Sequence, residues 1–442
     1  MTSATEAPKV SFSFGMLIYD TRYRSMTIQV VALIGFLILI GGLIYNTNQN
    51  LASLGKEIGF GFLSDPAGYD INQRLLDYNS QSPHIRAAIV GLLNTLLVAF
   101  LGCITATVIG VLVGVLRLSN NWLIARIMTI YVEMFRNVPV LLWIVFVMAI
   151  LIETLPSPRS FRGENPESTL SLFESVAVTN RGVYVPEPLF SRGLGDIPVF
   201  ADRADPACAS YYDASDTGVL NDSCGAFQIS MDLMLILAIL IAGITAANYV
   251  KRRANRIQES TGDRPTTWYL QLGLIFVPLI AALVIMGFYI GKPELKGFNF
   301  TGGTHLRNSL IALWLALSLY TAAFIAENVR AGIMSVSKGQ SEAAGALGLR
   351  PNRIMSLVVL PQALRVIIPP LISQYLNLTK NSSLAIAVGY MDITGTLMGI
   401  TLNQTGREME TLLLGMLIYL LISLSISAVM NVYNNRMKLV ER

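Results

Sequence analysis

The stretch Gly339-Gln340-Ser341-Glu342-Ala343-Ala344-Gly345-Ala346-Leu347-Gly348-Leu349, followed by Ile354 and Leu360-Pro361, carries residue types suited to a mechanical contact rather than a reaction. Ala343, Ala344, Ala346 and Leu347 favour a helix, and Ser341 is placed to cap its start. Gly348 can supply the left-handed turn that ends it, and Pro351 can open the next helix. The spacing predicts a helix–turn–helix elbow with small side chains on one face. Such a face lets another protein's backbone approach closely, and Glu342 offers a charge to a partner's Arg.

A second set of polar residues interrupts apolar sequence. It comprises Arg136 and Asn137, and then Asn377, Thr379, Lys380, Asn381, Ser382 and Ser383. Ionisable groups within a membrane span are costly and usually face a partner or a wet cavity. These donors would suit an anionic carboxylate on its way across the membrane. A structural role fits them equally: Arg136 can pair with Glu133 one turn away, and Lys380 can cap carbonyls where a helix breaks. Glu327, Arg330 and Arg365 flank the elbow and are read as holding it.

Chemistry of other kinds finds no support. There are two His residues, no nucleophile–base spacing and no paired carboxylates, which argues against an enzyme. The three cysteines are scattered, so a metal site is not expected. The chain lacks G-x-x-x-x-G-K-[ST], so no cofactor, ATP included, is expected in it. No basic run interleaved with aromatics points to nucleic acid.

The elements that must position these residues are membrane helices. Of 442 residues 53% are hydrophobic, mean hydropathy is +0.55 and only 14% are charged; soluble domains carry about 25%. Crossing the hydrocarbon core takes about 20 apolar residues. Eight candidate spans run roughly 27–45, 89–116, 127–152, 231–250, 268–291, 306–328, 366–389 and 411–433. With both termini cytoplasmic, the inner connecting pieces hold 18 Lys and Arg and the longer outer pieces 11, as the positive-inside rule requires. The opposite orientation would put Lys251-Arg252-Arg253 outside. The first run is read as a retained span, because 26 residues precede it and it exceeds the length of a signal core. Phe12 to Tyr19 could lie along the inner surface or belong to a disordered tail.

Residues 1–26 are thus a cytoplasmic segment, 27–88 the first span with an outer loop, and 434–442 a cytoplasmic tail. Residues 153–230 hold eleven Asp or Glu against five Arg, with seven prolines, and read as an extracytoplasmic cap with little helix. Cys208 and Cys224 lie in that cap. In an oxidising compartment they could close a disulfide loop of about 16 residues, worth roughly 3 kcal/mol; otherwise they are free thiols. Cys103 reads as packing. Residues 231–291 form a hairpin around the basic stretch 251–256 and look separable from the rest.

The order of these motifs resembles a known family. Glu342-Ala343-Ala344, a following Gly, Ile354 and Leu360-Pro361 resemble the coupling loop of bacterial ABC-importer permeases. Arg330-Ala331-Gly332-Ile333, Gly339-Gln340, Ala346-Leu347-Gly348-Leu349, Leu360-Pro361-Gln362-Ala363-Leu364-Arg365 and Lys380-Asn381-Ser382-Ser383-Leu384 are similar to the polar amino-acid branch. Phe135-Arg136-Asn137-Val138-Pro139 matches that branch's Phe-Arg-x-x-Pro element, with Asn137-Val138 in place of the commoner Gly-Thr. The long insertion and extra helix pair resemble one permease of the broad-specificity L-amino-acid importers, of the glutamate/glutamine/aspartate/asparagine type.

The resemblance implies an all-α membrane protein with a five-helix type I importer core. Residues 89–152 would form its first part and 306–433 its second, with a coupling loop at 339–361. Ser341, Glu342, Ala343, Ala344, Gly345, Leu347 and Gly348 would dock on a separate ATPase that binds ATP and Mg. Implied partners are two ATPase copies, a second homologous permease (as a heterodimer), an extracytoplasmic amino-acid-binding protein and membrane lipid. The implied location is the bacterial inner membrane. The competing expectation is an ion-coupled secondary transporter, for which Glu133 would be the best coupling carboxylate.

Overall fold

A computed structural model describes residues 16–53, 55–56, 58–76, 78–162, 167–199, 227–263 and 265–437. The chain divides into two compact units, 1–60 and 61–442. In the first, a short helix (Met16–Tyr19) precedes the long α1 (Thr21–Ser53), whose span of Tyr23–Ser53 extends the predicted 27–45 at both ends.

The second unit is built on α2 (His84–Leu116), α3 (Trp122–Asn137), α4 (Val140–Thr154), α5 (Met231–Thr261), α6 (Trp268–Ile285), α7 (Asn308–Met334), α8 (Lys338–Ala346), α9 (Leu360–Asn381) and α10 (Glu408–Met437), with shorter turns left unlabelled. Among the described residues, eight helical stretches are long and apolar enough to cross a membrane. The count agrees with the sequence, but the third predicted span is corrected. Residues 127–152 are not one helix: α3 ends at Asn137, Val138 is extended (φ −108°, ψ 133°), and α4 starts after Pro139. Proline lacks an N–H and pushes the residue before it out of the helical region. The predicted 268–291 also ends early, at Ile285, and Phe288–Gly291 is a strand. The seventh span starts earlier, at Pro351, and passes through a π-turn at Met355–Val359 before α9.

Helix α7 is the axis of the second unit. Its Leu313, Ala316, Leu317, Ala322 and Ile325 are buried with Val98 and Ala106 of α2 and Ala363, Ile367 and Leu378 of α9. Lipid tails are as apolar as leucine, so close packing and hydrogen bonds must hold such helices together. Small residues of α2 at four-residue spacing (Gly102, Ala106, Gly110, Gly114) supply the close packing. A Cβ on Gly110 would lie 2.9 Å from the Ala322 carbonyl, and one on Gly114 2.7 Å from that of Ala326. Hydroxyls supply the bonds: Thr105 and Ser318 meet at 2.5 Å, and Trp314 Nε1 donates to Thr105 at 3.1 Å.

Helices α5 and α6 pack chiefly on each other. The remaining segments form short antiparallel ladders from β1 (Ala177–Thr179), β2 (Gly182–Val185), β3 (Glu187–Phe190), β4 (Asp196–Val199), β5 (Phe227–Ser230), β6 (Phe288–Gly291), β7 (Glu294–Lys296), β8 (Asn299–Thr301) and β9 (Thr304–Arg307). The order β1-β2-β9 ties the long insertion to the strand leading into α7. Cys208 and Cys224 lie outside the described residues. Between the spans ending at Val388 and starting at Glu408, the Asp392 carboxyl is fully buried. It accepts from Gly395 N (2.9 Å) and Tyr419 Oη (3.0 Å), and burial pushes its pKa up to about 6.

Candidate functional site

The elbow forms where α7 ends and small residues begin. Ser337 is extended (φ −64°, ψ 138°), and α8 follows at once, with Gln340 N donating to Ser337 O at 3.2 Å. Ser341 is therefore the fourth residue of the helix and not its cap, which corrects the sequence reading: the chain turns helical one residue after Ser337, whose side chain makes no capping bond. At the other end Gly348 takes φ +78°. Gly348 N donates to Gly345 O (2.9 Å) and Leu349 N to Ala344 O (3.3 Å). This pair of bonds is the Schellman arrangement, which satisfies carbonyls left over at a helix end. Pro351 then opens the short helix Pro351–Ile354.

This local geometry sorts the elbow residues into an anchor and a face. Ala344 is buried, and α8 packs on Pro351–Ile354 and the π-turn behind it. Glu342, Ala343, Gly345, Ala346 and Gly348 are exposed, and Ser341 is half-buried. Leu347 is 84% exposed at the tip of the bend. The elbow thus presents Leu347, Glu342 and a run of small residues, with Gln340 and Leu349 also exposed beside them. Among the described residues, no cluster of three or more His, Cys, Asp or Glu could hold a metal.

Arg136 does not sit in the middle of a helix. It occupies the last turn of α3, where the negative end of the helix dipole favours a cation. Its partner is not Glu133: Arg136 Nη1 lies 3.9 Å from Glu327 Oε2, and the guanidinium is 5.5 Å from the Phe324 ring centroid. Glu133 is instead bonded by Asn137 Nδ2 at 3.3 Å. Glu327 is a hub for three arginines. Arg117 Nη1 donates to its Oε2 at 2.5 Å, and Arg330 Nη2 to its Oε1 at 2.5 Å. Glu133 and Asn137 border a shallow groove of about 430 Å³ along α3.

Lys380 lies in the last turn of α9, exposed beside exposed Asn377, with no ion pair among the described residues. Asn381 and Ser383 are half-buried. Ser382 is fully buried, and its hydroxyl donates to Thr379 O at 2.7 Å where α9 passes into a 3₁₀ turn. Among the described residues no hydrogen bond or ion pair joins this set to Arg136 and Asn137; both helices pack on α7. Two contributors escaped the sequence reading. Arg117 directly follows the second predicted span, and only the packing of α2 on α7 brings it to Glu327. Tyr375 meets Thr107 at 2.6 Å, a pairing that no local pattern signals.

Comparison with known proteins is consistent along the whole chain. The family described as "Binding-protein-dependent transport system inner membrane component" matches residues 106–439. The glutamate/glutamine/aspartate/asparagine transport system permease protein BztB of Rhodobacter capsulatus is 52% identical, with 100% of both chains covered. The general L-amino acid transport system permease protein AapQ of Rhizobium johnstonii is 42% identical over 98% of this chain and 96% of its own. The putative amino-acid ABC transporter permease protein YhdX of Escherichia coli is 40% identical over 100% of both.

Proposed function

We propose, from the premise that this chain belongs to the family of binding-protein-dependent transport system inner membrane components, that it lines part of an amino-acid pathway and couples that pathway to a separate ATPase. The chain is a multi-pass inner-membrane transport component. The observation that carries the coupling reading is the elbow itself: an exposed face of small residues with a bare Leu347 and Glu342, fixed by a buried Ala344 and a glycine-closed turn. The substrates we infer are polar or acidic L-amino acids and their amides, the class named for the Rhodobacter capsulatus relative.

In this account both termini are cytoplasmic, and the elbow enters a groove on one of two ATPase copies. ATP and Mg bind to those copies, and their closure swings the elbow and the helices attached to it. A second homologous permease, paired as a heterodimer, completes the pathway, and an extracytoplasmic binding protein delivers substrate. The acidic insertion 153–230 is the surface we assign to that delivery. Arg136, Asn137, Asn377, Lys380, Asn381, Ser382 and Ser383 are the proposed pathway polar groups. Lys380, exposed and with no ion pair among the described residues, is the strongest candidate for direct contact, since Arg136 is engaged by Glu327.

The test is uptake of radiolabelled glutamate and glutamine into proteoliposomes holding the whole complex. Glu342→Arg should abolish ATP-driven uptake while the helices stay folded. Lys380→Met should change substrate preference. Uptake that survives ATP depletion but stops with an uncoupler would overturn the proposal.

A further inference from the structure

A cavity of about 440 Å³ lies where the β-sheet meets the helices of the second unit, and none of the proposed coupling or pathway residues lines it. Its volume is within the roughly 300–1,000 Å³ of small-molecule sites. The fold builds it from distant pieces of chain. Antiparallel pairing sets Gly182 opposite Arg307 and Tyr184 opposite His305, and the two-residue period of a strand puts His305 and Arg307 on one face. A Cβ on Gly182 would sit 2.5 Å from His305 Nε2, so glycine is needed for this approach. Tyr184 and His305 then stack at 4.1 Å, and Arg181 enters the wall beside them.

The charge in this wall is one-sided. Arg181 is exposed, and neither it nor Arg307 has a carboxylate partner among the described residues. Arg307 is oriented through its backbone N to Gln73 Oε1 (3.3 Å) and its Nε to Asn72 O (3.1 Å). Burial and the nearby Arg307 hold His305 below the usual imidazole range, so it adds no charge at neutral pH. Guanidinium forks match carboxylates in geometry. The wall also has acceptors to spare. Asn308, 3% exposed, donates Nδ2 to Asn180 O at 2.7 Å. The Oδ1 atoms of Asn180 and Asn308 are both buried without a partner. An orphaned buried acceptor is costly, and a small side-chain rotation toward a ligand's N–H would relieve it.

We propose that this cavity is a second binding site, for a zwitterionic α-amino acid, with its carboxylate on Arg181 and Arg307 and its ammonium on the Asn180 and Asn308 amide oxygens. Binding follows from the wall chemistry alone. A role for the site as a holding point at the extracytoplasmic mouth rests on the orientation proposed above.

The experiment is equilibrium binding of radiolabelled L-glutamate and L-glutamine to the purified complex in nanodiscs, without binding protein or nucleotide. Saturable binding is expected. It should weaken at least about tenfold in Arg181→Gln and further in Arg181→Gln/Arg307→Gln. Glutarate, which lacks the ammonium, should compete about tenfold less well than L-glutamate. Arg181 is exposed, so its single variant tests the site even if the double variant folds poorly. Absence of saturable binding in a wild-type complex that still imports amino acids would overturn the site and leave the permease reading intact. Equal affinity in wild type and Arg181→Gln would also overturn it. So would loss of binding-protein stimulation in the variants with no free amino acid bound, because the arginines would then receive a protein carboxylate.

Discussion

Replacing Gly348 by valine forces a β-branched residue into φ +78° at the end of the elbow helix. The cost can be placed in the backbone alone, because a Cβ there meets nothing within 4 Å. A left-handed conformation costs an L-residue about 1–2 kcal/mol. If the turn unwinds instead, it loses the bonds from Gly348 N to Gly345 O and from Leu349 N to Ala344 O, each worth about 0.5–1.5 kcal/mol. Unwinding thus costs about 1–3 kcal/mol; the cheaper route sets the penalty on the docking shape at roughly 1–2 kcal/mol, a factor of about 5–30. Affinity of the nanodisc-embedded permease for the proposed ATPase partner, measured by biolayer interferometry, should fall by that factor. Asparagine tolerates the left-handed region, so Gly348→Asn should stay within about threefold of wild type. Wild-type affinity for Gly348→Val, or equal losses for valine and asparagine, would refute the reasoning.

Three further outcomes follow from the packing. Gly114→Leu drives a side chain into the Ala326 carbonyl, 2.7 Å from the new Cβ; backbone cannot yield, and a loss of about 1–3 kcal/mol should show as poor yield and a lowered Tm. Glu327→Gln removes the counter-charge shared by three arginines, of which Arg117 is only 9% exposed. Because Glu327 itself is 26% exposed, the loss should fall below the roughly 3–5 kcal/mol of fully buried pairs, and denaturant midpoints would measure it. Asp392 has a folded pKa raised from 3.8 to about 6, so the folded chain binds its proton more tightly than the unfolded chain. Its contribution is most favourable below pH 3.8 and is lost as pH rises to about 6, a change of roughly 3 kcal/mol. Wild type should therefore melt higher at about pH 5 than at about pH 7.5, and Asp392→Asn should shrink that difference; an unchanged difference would assign it elsewhere.

The number of spans was legible because length and apolarity define a crossing helix, whereas their bounds depend on local breaks. The elbow was legible because glycine and proline punctuate it: Gly348 and Pro351 occupy the turn and helix-start positions their chemistry favours. Ser341 misled because a second serine, Ser337, lies four residues upstream, and backbone geometry decides between them. The break at Val138-Pro139 was visible as a proline, yet continuous hydrophobicity on both sides masked it. Arg136's partner was not legible, since Glu327 is remote in sequence and meets it only through the packing of α3 on α7. The polar cavity was hidden for the same reason: strand register, not proximity in sequence, gathers Arg181, His305 and Arg307.

The proposed coupling requires the elbow to face the compartment that holds the ATPase. With Cys103, Cys208 and Cys224 replaced by serine, a single Ala346→Cys offers an exposed thiol on the elbow. A membrane-impermeant maleimide should label it in inverted vesicles and not in spheroplasts, and added ATPase should protect it. Labelling in intact spheroplasts would contradict the account.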